Sequence, residues 1–310
     1  MNKFVLTAIG FAATLFAVGC ASDESPASPN DIGSGNKTIE QDENLPAIAI
    51  DTVGFGVGKY DKEIREGRIS VDSFYIYDNG TWRKTTPQEA DGFTEISEVY
   101  ASLKPDEKAV FVIRHSERTS DTGPTGHLTD NGFVYANNLG KRLAFIRKED
   151  FYYAYSGYTR THETCEEIAK GNGQQDYTIN EQPFLYSDWF IKDENKFSDY
   201  ATNDGGWEVF SKYAFAGAYS DAFYDLKTRS EQLLEDEILA NISTMKRVNF
   251  MCTHDYLVEP LIAYVTGGHS IIRFYENLRW VNYLAGVAMI ISADGSVRYI
   301  PVRGLDKGSM

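Results

Sequence analysis

The chain has 310 residues, with 30 basic and 45 acidic side chains and a formal net charge of -15. This length suits one large domain or two small ones, and a hydrophobic content of 42% is enough to bury a sizeable core. An acidic protein repels nucleic acid and anionic membrane surfaces, so we expect neither as a partner. It also repels small anions at long range, so any anion site must be a local basic pocket.

The first 19 residues have the pattern of a secretory signal. Met1–Lys3 is a short basic segment, and residues 4–18 form an apolar run that is too short to span a bilayer comfortably. The run ends in Ala17-Val18-Gly19-Cys20, which resembles a bacterial lipobox, in which the cysteine receives a lipid. We therefore expect a lipoprotein signal peptide with lipidation at Cys20. The alternative is an ordinary signal peptide with a cysteine there by chance.

The next two segments precede the main domain. Residues 20–45 contain mostly Ser, Pro, Asp, Asn and Gly, a composition that predicts a flexible tether between the lipid and the folded protein. We therefore expect the protein to be lipid-anchored in the bacterial cell envelope, on the periplasmic side or in the outer membrane. Residues 46–105 are interpreted as an N-terminal extension. Within it, Asn79-Gly80 separates two β-forming runs, which predicts a β-hairpin.

From residue 106 to residue 310 the pattern is that of an α/β domain. Predicted strands alternate with predicted helices, which indicates a three-layer α/β/α sandwich. The strands are predicted at 108–113, 152–155, 247–253, 286–292 and 297–301, and the helices at 133–146, 159–170, 230–242 and 256–265. Residues 172–245 are interpreted as a cap insertion rich in Tyr, Trp and Phe, which either walls a ligand site or, as we prefer, packs in a core.

Three segments place charged side chains where a predicted strand ends. They are Arg114-His115-Ser116-Glu117-Arg118, Ser156 to Arg160-Thr161-His162-Glu163-Thr164, and Thr253-His254-Asp255. Ligands bind at this edge of an open α/β sheet. Guanidinium groups hold phosphate by paired hydrogen bonds, and a neutral imidazole nitrogen can attack phosphorus. The three segments therefore predict a phosphoryl-transfer site.

The same residues resemble a known family. Arg114-His115-Ser116-Glu117 resembles the Arg-His-Gly-Glu signature of the histidine phosphatase superfamily, with Ser in place of Gly. Leu128-Thr-Asp-Asn-Gly132 resembles its Leu-Thr-x-x-Gly step, and Ser156 with Arg160-Thr-His-Glu-Thr164 resembles its second arginine motif. Thr253-His254-Asp255 resembles its second histidine motif. The resemblance spans about residues 108–300 in the family's order and implies a phosphoglycerate mutase-like fold.

The resemblance implies a role for each matching residue. His115 takes the position of the phosphorylated nucleophile, and Arg114 and Arg160 take those of the phosphate clamp. His254 matches the second pocket histidine, which contacts the phosphoryl group. Arg118 lies at an offset where some members of the family use a further phosphate-binding arginine.

The general acid stays open among three carboxylic residues. Members with the acid-phosphatase pattern use the Asp after the second His, which is Asp255 here and our first choice. Members with the mutase pattern use an acid from the region after the second arginine motif, where Asp188 is the alternative. Glu117 is close to His115 in sequence and is interpreted either as an acid or as a residue that orients the pocket.

The resulting hypothesis is a phosphomonoesterase that acts through a phosphohistidine on an extracytoplasmic phosphorylated small molecule. The alternatives are a surface lipoprotein that binds phosphate or another anion without turnover, and a phosphomutase of the same superfamily. We expect no metal and no cofactor. His127, His162 and His269 are interpreted as surface or structural residues. Cys165 and Cys252 are interpreted as two buried thiols, with a disulfide as the alternative.

Overall fold

The computed structural model describes residues 93–267 and 280–305, together with the strand residues 75–78 and 81–84. Several predicted features lie outside the described residues: the signal peptide, Cys20, the tether, the hairpin turn Asn79-Gly80, and His269. Among the helices that are described, none combines the length and the apolar character needed to cross a bilayer.

The predicted hairpin of the N-terminal extension is confirmed. Strands β1 (Tyr75–Asp78) and β2 (Thr81–Lys84) pair in antiparallel register, with Asp78 opposite Thr81. Only two residues therefore connect the strands, which is the loop length that Asn-Gly favours.

Seven further strands form one mixed sheet. They are Thr94–Glu95 (β3), Lys108–Arg114 (β4), Phe151–Tyr155 (β5), Ile179–Glu181 (β6), Val248–Thr253 (β7), Gly286–Ile291 (β8) and Val297–Arg303 (β9). Their spatial order is β3-β9-β8-β4-β7-β5-β6. Strands β4, β7, β5 and β6 are parallel neighbours, whereas β8 is antiparallel to both β4 and β9.

Seven α-helices accompany the sheet in the described residues. They are Ile96–Ser102 (α1), Asp130–Ile146 (α2), Thr159–Asn172 (α3), Glu194–Asp204 (α4), Gly206–Ala216 (α5), Leu226–Glu231 (α6) and Asp255–Val265 (α7). Helix α6 continues as a π-helix over Gln232–Ile238 and a 3-10 helix over Leu239–Thr244, and a short 3-10 helix spans Pro183–Leu185.

The central strands are apolar throughout because both faces of the sheet are covered. In β4, Val110 and Val112 enter one hydrophobic cluster, whereas Phe111 and Ile113 enter the other. Successive side chains of a strand point to opposite faces, so an uninterrupted apolar run supplies both cores at once. The first cluster also contains side chains of α5 and α7, and the second contains those of α1, α2 and α3. The fold is therefore the predicted three-layer α/β/α sandwich.

Most aromatic side chains of the insertion either lie in the core or pack against it. Phe190, Phe210, Tyr213 and Phe215 are buried in the cluster that α5 and α7 share with the sheet. Tyr213 stacks on Phe223 with a ring-centroid distance of 4.2 Å. The preferred interpretation of these aromatic residues as core residues is confirmed.

The structure moves one predicted boundary. The N-terminal extension predicted over residues 46–105 includes residues 93–103. In the structure, however, β3 pairs with β9 in the main sheet. Helix α1 buries Ile96, Val99 and Tyr100 against the same sheet. The α/β unit therefore begins near residue 93. The short strand and the seven-residue helix are too brief for an amphipathic pattern to reveal them.

Candidate active site

The three motif segments meet at one edge of the sheet. Strands β4, β7 and β5 are parallel neighbours, so their carboxyl ends lie side by side. His115 directly follows β4, His254 directly follows β7, and Arg160 lies in the first turn of α3, just after β5. The ring centroids of His115 and His254 are 5.5 Å apart. Residues separated by up to 140 positions in the sequence therefore form one site.

The His115 ring is held in one protonation form. Its Nδ1 lies 2.7 Å from the carbonyl oxygen of Ser116, and a carbonyl can only accept, so Nδ1 carries the proton. Its Nε2 therefore presents a lone pair, and the Arg160 Nε donates to that atom at 3.2 Å. Burial and the nearby Arg160 guanidinium hold the pKa of His115 well below its ordinary value. A neutral imidazole with an available Nε2 is the form that a nucleophile requires.

His254 has the opposite tautomer. The Arg160 guanidinium donates to its Nδ1 at 3.3 Å, so its Nε2 carries the proton and donates to the Ser156 hydroxyl at 2.7 Å. The Ser156 hydroxyl in turn lies 3.1 Å from that of Thr161. Burial, followed by the charge of Arg160, lowers the pKa of His254 to about 3. Both histidines of the site are therefore neutral in the absence of a bound anion.

Arg160 links the two histidines and the pocket wall. Besides its contacts to both imidazoles, it donates to the carbonyl oxygen of Gly123 at 2.7 Å. The residue is only 5% exposed. Burial and the proximity of Arg118 lower its pKa to about 10, so it remains charged at neutral pH.

Arg114 forms the second arm of the cationic pocket. Its guanidinium donates to the Val281 carbonyl oxygen at 2.6 Å and pairs with Asp255 at 3.0 Å. The face of the guanidinium lies over the Tyr283 ring, 4.3 Å from its centroid. Its Nε is buried and has no hydrogen-bond partner among the described residues. Arg114 is therefore fixed in position while one of its donors remains free to bind a ligand.

Asp255 is close to the site and ionised. Burial favours its neutral form, but the Arg114 guanidinium and the Trp280 indole N–H, at 3.0 Å, together hold the pKa of Asp255 below its ordinary value. The first-choice acid thus lies within the pocket, in the protonation state of a general base. Proton donation by Asp255 requires that a bound phosphoryl group first draw Arg114 away from it.

The other candidate residues have different surroundings. Glu117 accepts a hydrogen bond from the Thr129 hydroxyl at the start of α2, so its side chain anchors that helix. Asp188 is exposed, and no hydrogen bond or ion pair of the described residues joins it to the two histidines or to Arg114 and Arg160. Arg118 donates to the Thr119 carbonyl at 2.7 Å and lies close enough to lower the pKa values of Arg160 and His254.

The remaining motif residues position these groups. Ser116 donates its hydroxyl to the Gly132 carbonyl at 2.8 Å, so this hydroxyl is directed at α2 rather than at the nucleophile. A Cβ on Gly132 would lie 2.0 Å from the Glu117 carbonyl oxygen, which explains why glycine is needed there. The Thr164 hydroxyl accepts from the Ser116 N–H at 3.0 Å and donates to the Arg160 carbonyl at 2.7 Å. These contacts connect α2 and α3 to the loop of His115.

Several residues of the site were not assigned from the sequence. Ser156, in the loop before α3, contacts His254, and Tyr158 packs on the same imidazole. Tyr283 packs on Arg114. The segment Ser156 to Arg160 offered a signal for the first two, since they lie within a recognised motif. Tyr283 and Trp280 lie in no motif, and only the fold brings them to the site.

The described histidines and cysteines outside the site have the surroundings predicted for them. His127 has a side chain that is 65% exposed and pairs with Glu163, which also accepts from the Leu128 backbone. The His162 ring packs against Tyr155. Cys165 and Cys252 are buried free thiols, so the preferred interpretation is confirmed.

The charge around the pocket is locally positive. Arg114, Arg118 and Arg160 face two neutral histidines, and Asp255 is the carboxylate that pairs with one of these arginines. The described residues contain no group of three or more His, Cys, Asp or Glu that could hold a metal ion. A separate cavity of about 540 Å³ lies near Phe151 and Lys246, at the other end of β5, and none of the site residues lines it.

No model of a known protein family matches the sequence, and no curated protein matches it. Solved structures do show similarity. A phosphoglycerate mutase from Bacillus anthracis str. Sterne is 16% identical, with a TM-score of 0.42, over 64% of this chain and 93% of that one. The mycobacterial glucosyl-3-phosphoglycerate phosphatase is 12% identical, with a TM-score of 0.42, over 64% of this chain and 100% of that one.

A third similar structure is the protein histidine phosphatase SixA complexed with tungstate. It is 15% identical, with a TM-score of 0.37, over 62% of this chain and 93% of that one. The solved structures that the chain is similar to are thus phosphoglycerate mutase-like proteins and histidine phosphatases.

Proposed function

We propose that the chain is a histidine-type phosphomonoesterase of the histidine phosphatase superfamily. The observation that carries this proposal is the pair of fixed tautomers. His115 presents an unprotonated Nε2 to a pocket lined by Arg114, Arg160 and His254. In an otherwise acidic protein, such a pocket favours an anion. A tetrahedral phosphoryl group matches its donors.

In the proposed first step, the Nε2 of His115 attacks phosphorus and the ester P–O bond breaks. Arg160 then donates to the phosphoryl oxygens instead of to the imidazoles, and Arg114 supports it with its free Nε. The Nδ1–H of His115 continues to donate to the Ser116 carbonyl oxygen, which stabilises the charge that develops on the phosphorylated ring. A substrate that binds as its monoanion brings one proton with it. Asp255 takes up this proton once the phosphoryl group has displaced it from Arg114, and passes it to the leaving alkoxide.

In the proposed second step, a water molecule attacks the phosphohistidine. Asp255 accepts a proton from this water, a role that its ionised state in the free protein suits. Phosphorus leaves His115 as inorganic phosphate, and the imidazole returns to its neutral form. Attack by an alcohol in place of water would transfer the phosphoryl group as a mutase does, and no observation at this site favours that outcome.

The test is phosphate release from p-nitrophenyl phosphate by residues 46–310, with chelator present, beside the His115→Ala variant. We expect the variant to lose at least about a thousandfold in kcat, as loss of a nucleophile does. A phosphoryl group that is labile to acid and stable to base should be trapped on the wild type. His127→Ala, which replaces a surface histidine, is the matched control.

A second function is favoured by one observation. Asp255 is ion-paired in the free protein, so the site lacks an acid that is ready to protonate a leaving group. The corresponding alternative is a protein that binds phosphate or another anion without turnover. It predicts no phosphate release at any pH, while inorganic phosphate raises the melting temperature of both the wild type and His127→Ala.

We propose the bacterial cell envelope as the place of action, with a lipid anchor on the periplasmic side or in the outer membrane. The support is the Ala17-Val18-Gly19-Cys20 sequence together with the tether composition of residues 20–45. The corresponding substrate is an extracytoplasmic phosphate ester of a small molecule, reached by a protein whose membrane contact is its N-terminal lipid.

A further inference from the structure

Two tyrosines border the phosphoryl pocket, one beside each clamp arginine. The Tyr158 ring lies 4.5 Å from the His254 ring and 4.6 Å from the Arg160 Cζ. The Tyr283 ring lies 4.3 Å from the Arg114 Cζ and 5.7 Å from the His115 ring. Each ring thus contacts one clamp arginine and one imidazole.

These rings lie at the open side of the pocket. His115 is 1% exposed and Arg114 and Arg160 are 5% exposed, whereas both tyrosines are half-buried. In an in-line displacement the leaving oxygen lies opposite the attacking Nε2. The alcohol part of the ester therefore extends away from the buried imidazole and toward the rim where the two tyrosines lie.

The phenol groups remain available for a ligand. Neither the Tyr158 nor the Tyr283 hydroxyl has a hydrogen-bond partner in the part of the chain that the structure describes. An aromatic ring supplies an apolar surface, and its phenol supplies a donor and an acceptor. This combination suits a ring that has both an apolar face and hydroxyl groups.

Other sources of ring recognition are less suited to this role. Phe210 and Tyr213 of the insertion are buried in the core, and Trp189, Trp207 and Tyr219 pack against it. The net charge of -15 disfavours an alcohol that bears additional negative charge. An uncharged, hydroxylated ring is therefore the leaving group that the surroundings favour.

We propose that Tyr158 and Tyr283 form the leaving-group subsite, and that the substrate is the phosphate monoester of a sugar or a cyclitol. This inference rests on the proposed phosphatase function and specifies its substrate class. The two rings pack against the sugar ring, and their hydroxyl groups bond to its hydroxyls.

The experiment compares kcat/KM for three primary phosphate esters: glucose 6-phosphate, benzyl phosphate and ethyl phosphate. The first has a hydroxylated ring, the second a bare ring, and the third no ring. The variants are Tyr158→Phe, Tyr283→Phe, Tyr158→Leu and Tyr283→Leu. Tyr224→Leu is the matched control, because Tyr224 is exposed and also packs on an arginine, Arg229, with the Cζ 4.7 Å from its ring.

The wild type should prefer glucose 6-phosphate over ethyl phosphate. Each Phe variant should lose about three- to tenfold in kcat/KM for glucose 6-phosphate alone, the range that one neutral hydrogen bond gives. Each Leu variant should lose activity on both ring substrates relative to ethyl phosphate. The Tyr224→Leu variant should keep the wild-type ratios.

Two outcomes overturn the inference and leave the phosphatase function intact. One is an equal loss on all three esters, which would mean that the rings only hold the arginines in place. The other is a set of unchanged ratios in every variant. A different outcome would refute the phosphatase function itself. In that outcome the wild type is folded but releases no more phosphate from any of the three esters than His115→Ala does.

Discussion

The Ser116 carbonyl determines which nitrogen of His115 presents a lone pair. Because it accepts from Nδ1, the lone pair is on Nε2, where Arg160 contacts it. Arg160 then sets the tautomer of His254, whose Nε2–H is directed at Ser156. The Ser116 carbonyl and the Arg160 guanidinium together therefore determine the protonation pattern of both rings. A bound phosphoryl group with several acceptor oxygens replaces the imidazole lone pairs as the partner of this guanidinium.

The first prediction at the residue scale concerns the acid and base roles proposed for Asp255. If it is both acid and base, Asp255→Asn should lower kcat for ethyl phosphate by about 10²–10⁴-fold, because an alkoxide needs a proton to leave. With p-nitrophenyl phosphate, whose leaving group needs no proton, the first turnover should persist as a burst while steady-state hydrolysis slows. Stopped-flow absorbance measures both phases.

Two controls accompany this variant. Inorganic phosphate should still inhibit Asp255→Asn with a similar constant, which would show that Arg114 has kept its position. Asp188→Asn should resemble the wild type, since its side chain is exposed and no hydrogen bond or ion pair in the described part of the chain joins it to the site. A burst in Asp188→Asn together with normal kinetics in Asp255→Asn would transfer the role to Asp188.

The neutral state of His254 links stability to pH. In the folded chain its pKa is about 3, whereas an unfolded chain takes up a proton near the ordinary value of about 6.5. Below that pH the unfolded state binds more protons, so the free energy of unfolding falls as the pH falls toward 3. The loss is up to about 1.4 kcal/mol per pH unit from this one group.

We therefore expect the stability of the wild type to fall more steeply between pH 6.5 and pH 4 than that of His254→Asn. Urea unfolding in buffers free of phosphate and sulfate measures the difference, and His127→Asn provides the exposed control. Equal slopes for the wild type and His254→Asn would show that His254 is protonated in the folded protein.

At the scale of elements, the strand ends determine which residues meet. Strand β7 lies between β4 and β5, so His254 at its end lies between His115 and the loop that leads to Arg160. Helices α2 and α3 then lock the loops: the N–H of Gly132 is capped by Thr129, and Glu163 holds the backbone of Leu128. The motif residues outside the proposed phosphate clamp therefore hold these helices against the loops.

Helix α7 contains a buried acid that the proposed mechanism does not use. Glu259 lies one turn after Asp255 and is fully buried near Ser211 and the backbone of Val281. Burial raises the pKa of Glu259 well above its ordinary value. The folded chain therefore keeps this proton at pH values at which the unfolded chain has released it, and stability falls as the pH rises above about 4.5.

Glu259→Gln replaces the neutral acid by an amide of the same shape. Relative to the wild type, its free energy of unfolding should increase with pH above about 4.5, by up to about 1.4 kcal/mol per pH unit. Thermal unfolding at several pH values measures this difference, and Glu235→Gln removes an exposed carboxylate of the π-helix as the control. A difference that does not change with pH would mean that Glu259 is ionised in the folded chain.

At the scale of the whole molecule, an acidic protein concentrates positive charge in one pocket. The net charge is -15, yet the three arginines of the site have a single carboxylate, Asp255, as their ion-pair partner among the described residues. Acidic surroundings slow the approach of highly charged anions, whereas the pocket binds the phosphoryl group at short range. This arrangement suits the small, otherwise neutral esters that we propose.

The sequence predicted the layers and the main elements correctly. Apolar runs such as Lys108 to Ile113 identified the central strands, because both faces of such strands are buried. Start and stop signals located α2, α3 and α7 within a few residues. Helices α4 and α5 of the insertion were not predicted, and the helix predicted at 230–242 is mostly a π-helix and a 3-10 helix. For the aromatic residues of the insertion, the preferred prediction was packing in a core rather than ligand binding, and it was correct. The extension boundary was wrong because β3 and α1 are short.

The sequence by itself determined the nucleophile and clamp candidates, because His115, Arg114, Arg160 and His254 lie in short motifs at strand ends. Only the tertiary structure placed Tyr283 on Arg114 and paired Asp255 with the same guanidinium. Local motifs reflect backbone turns that nearby residues encode. Contacts between residues more than a hundred positions apart depend instead on the order of the strands in the sheet, which no local pattern contains.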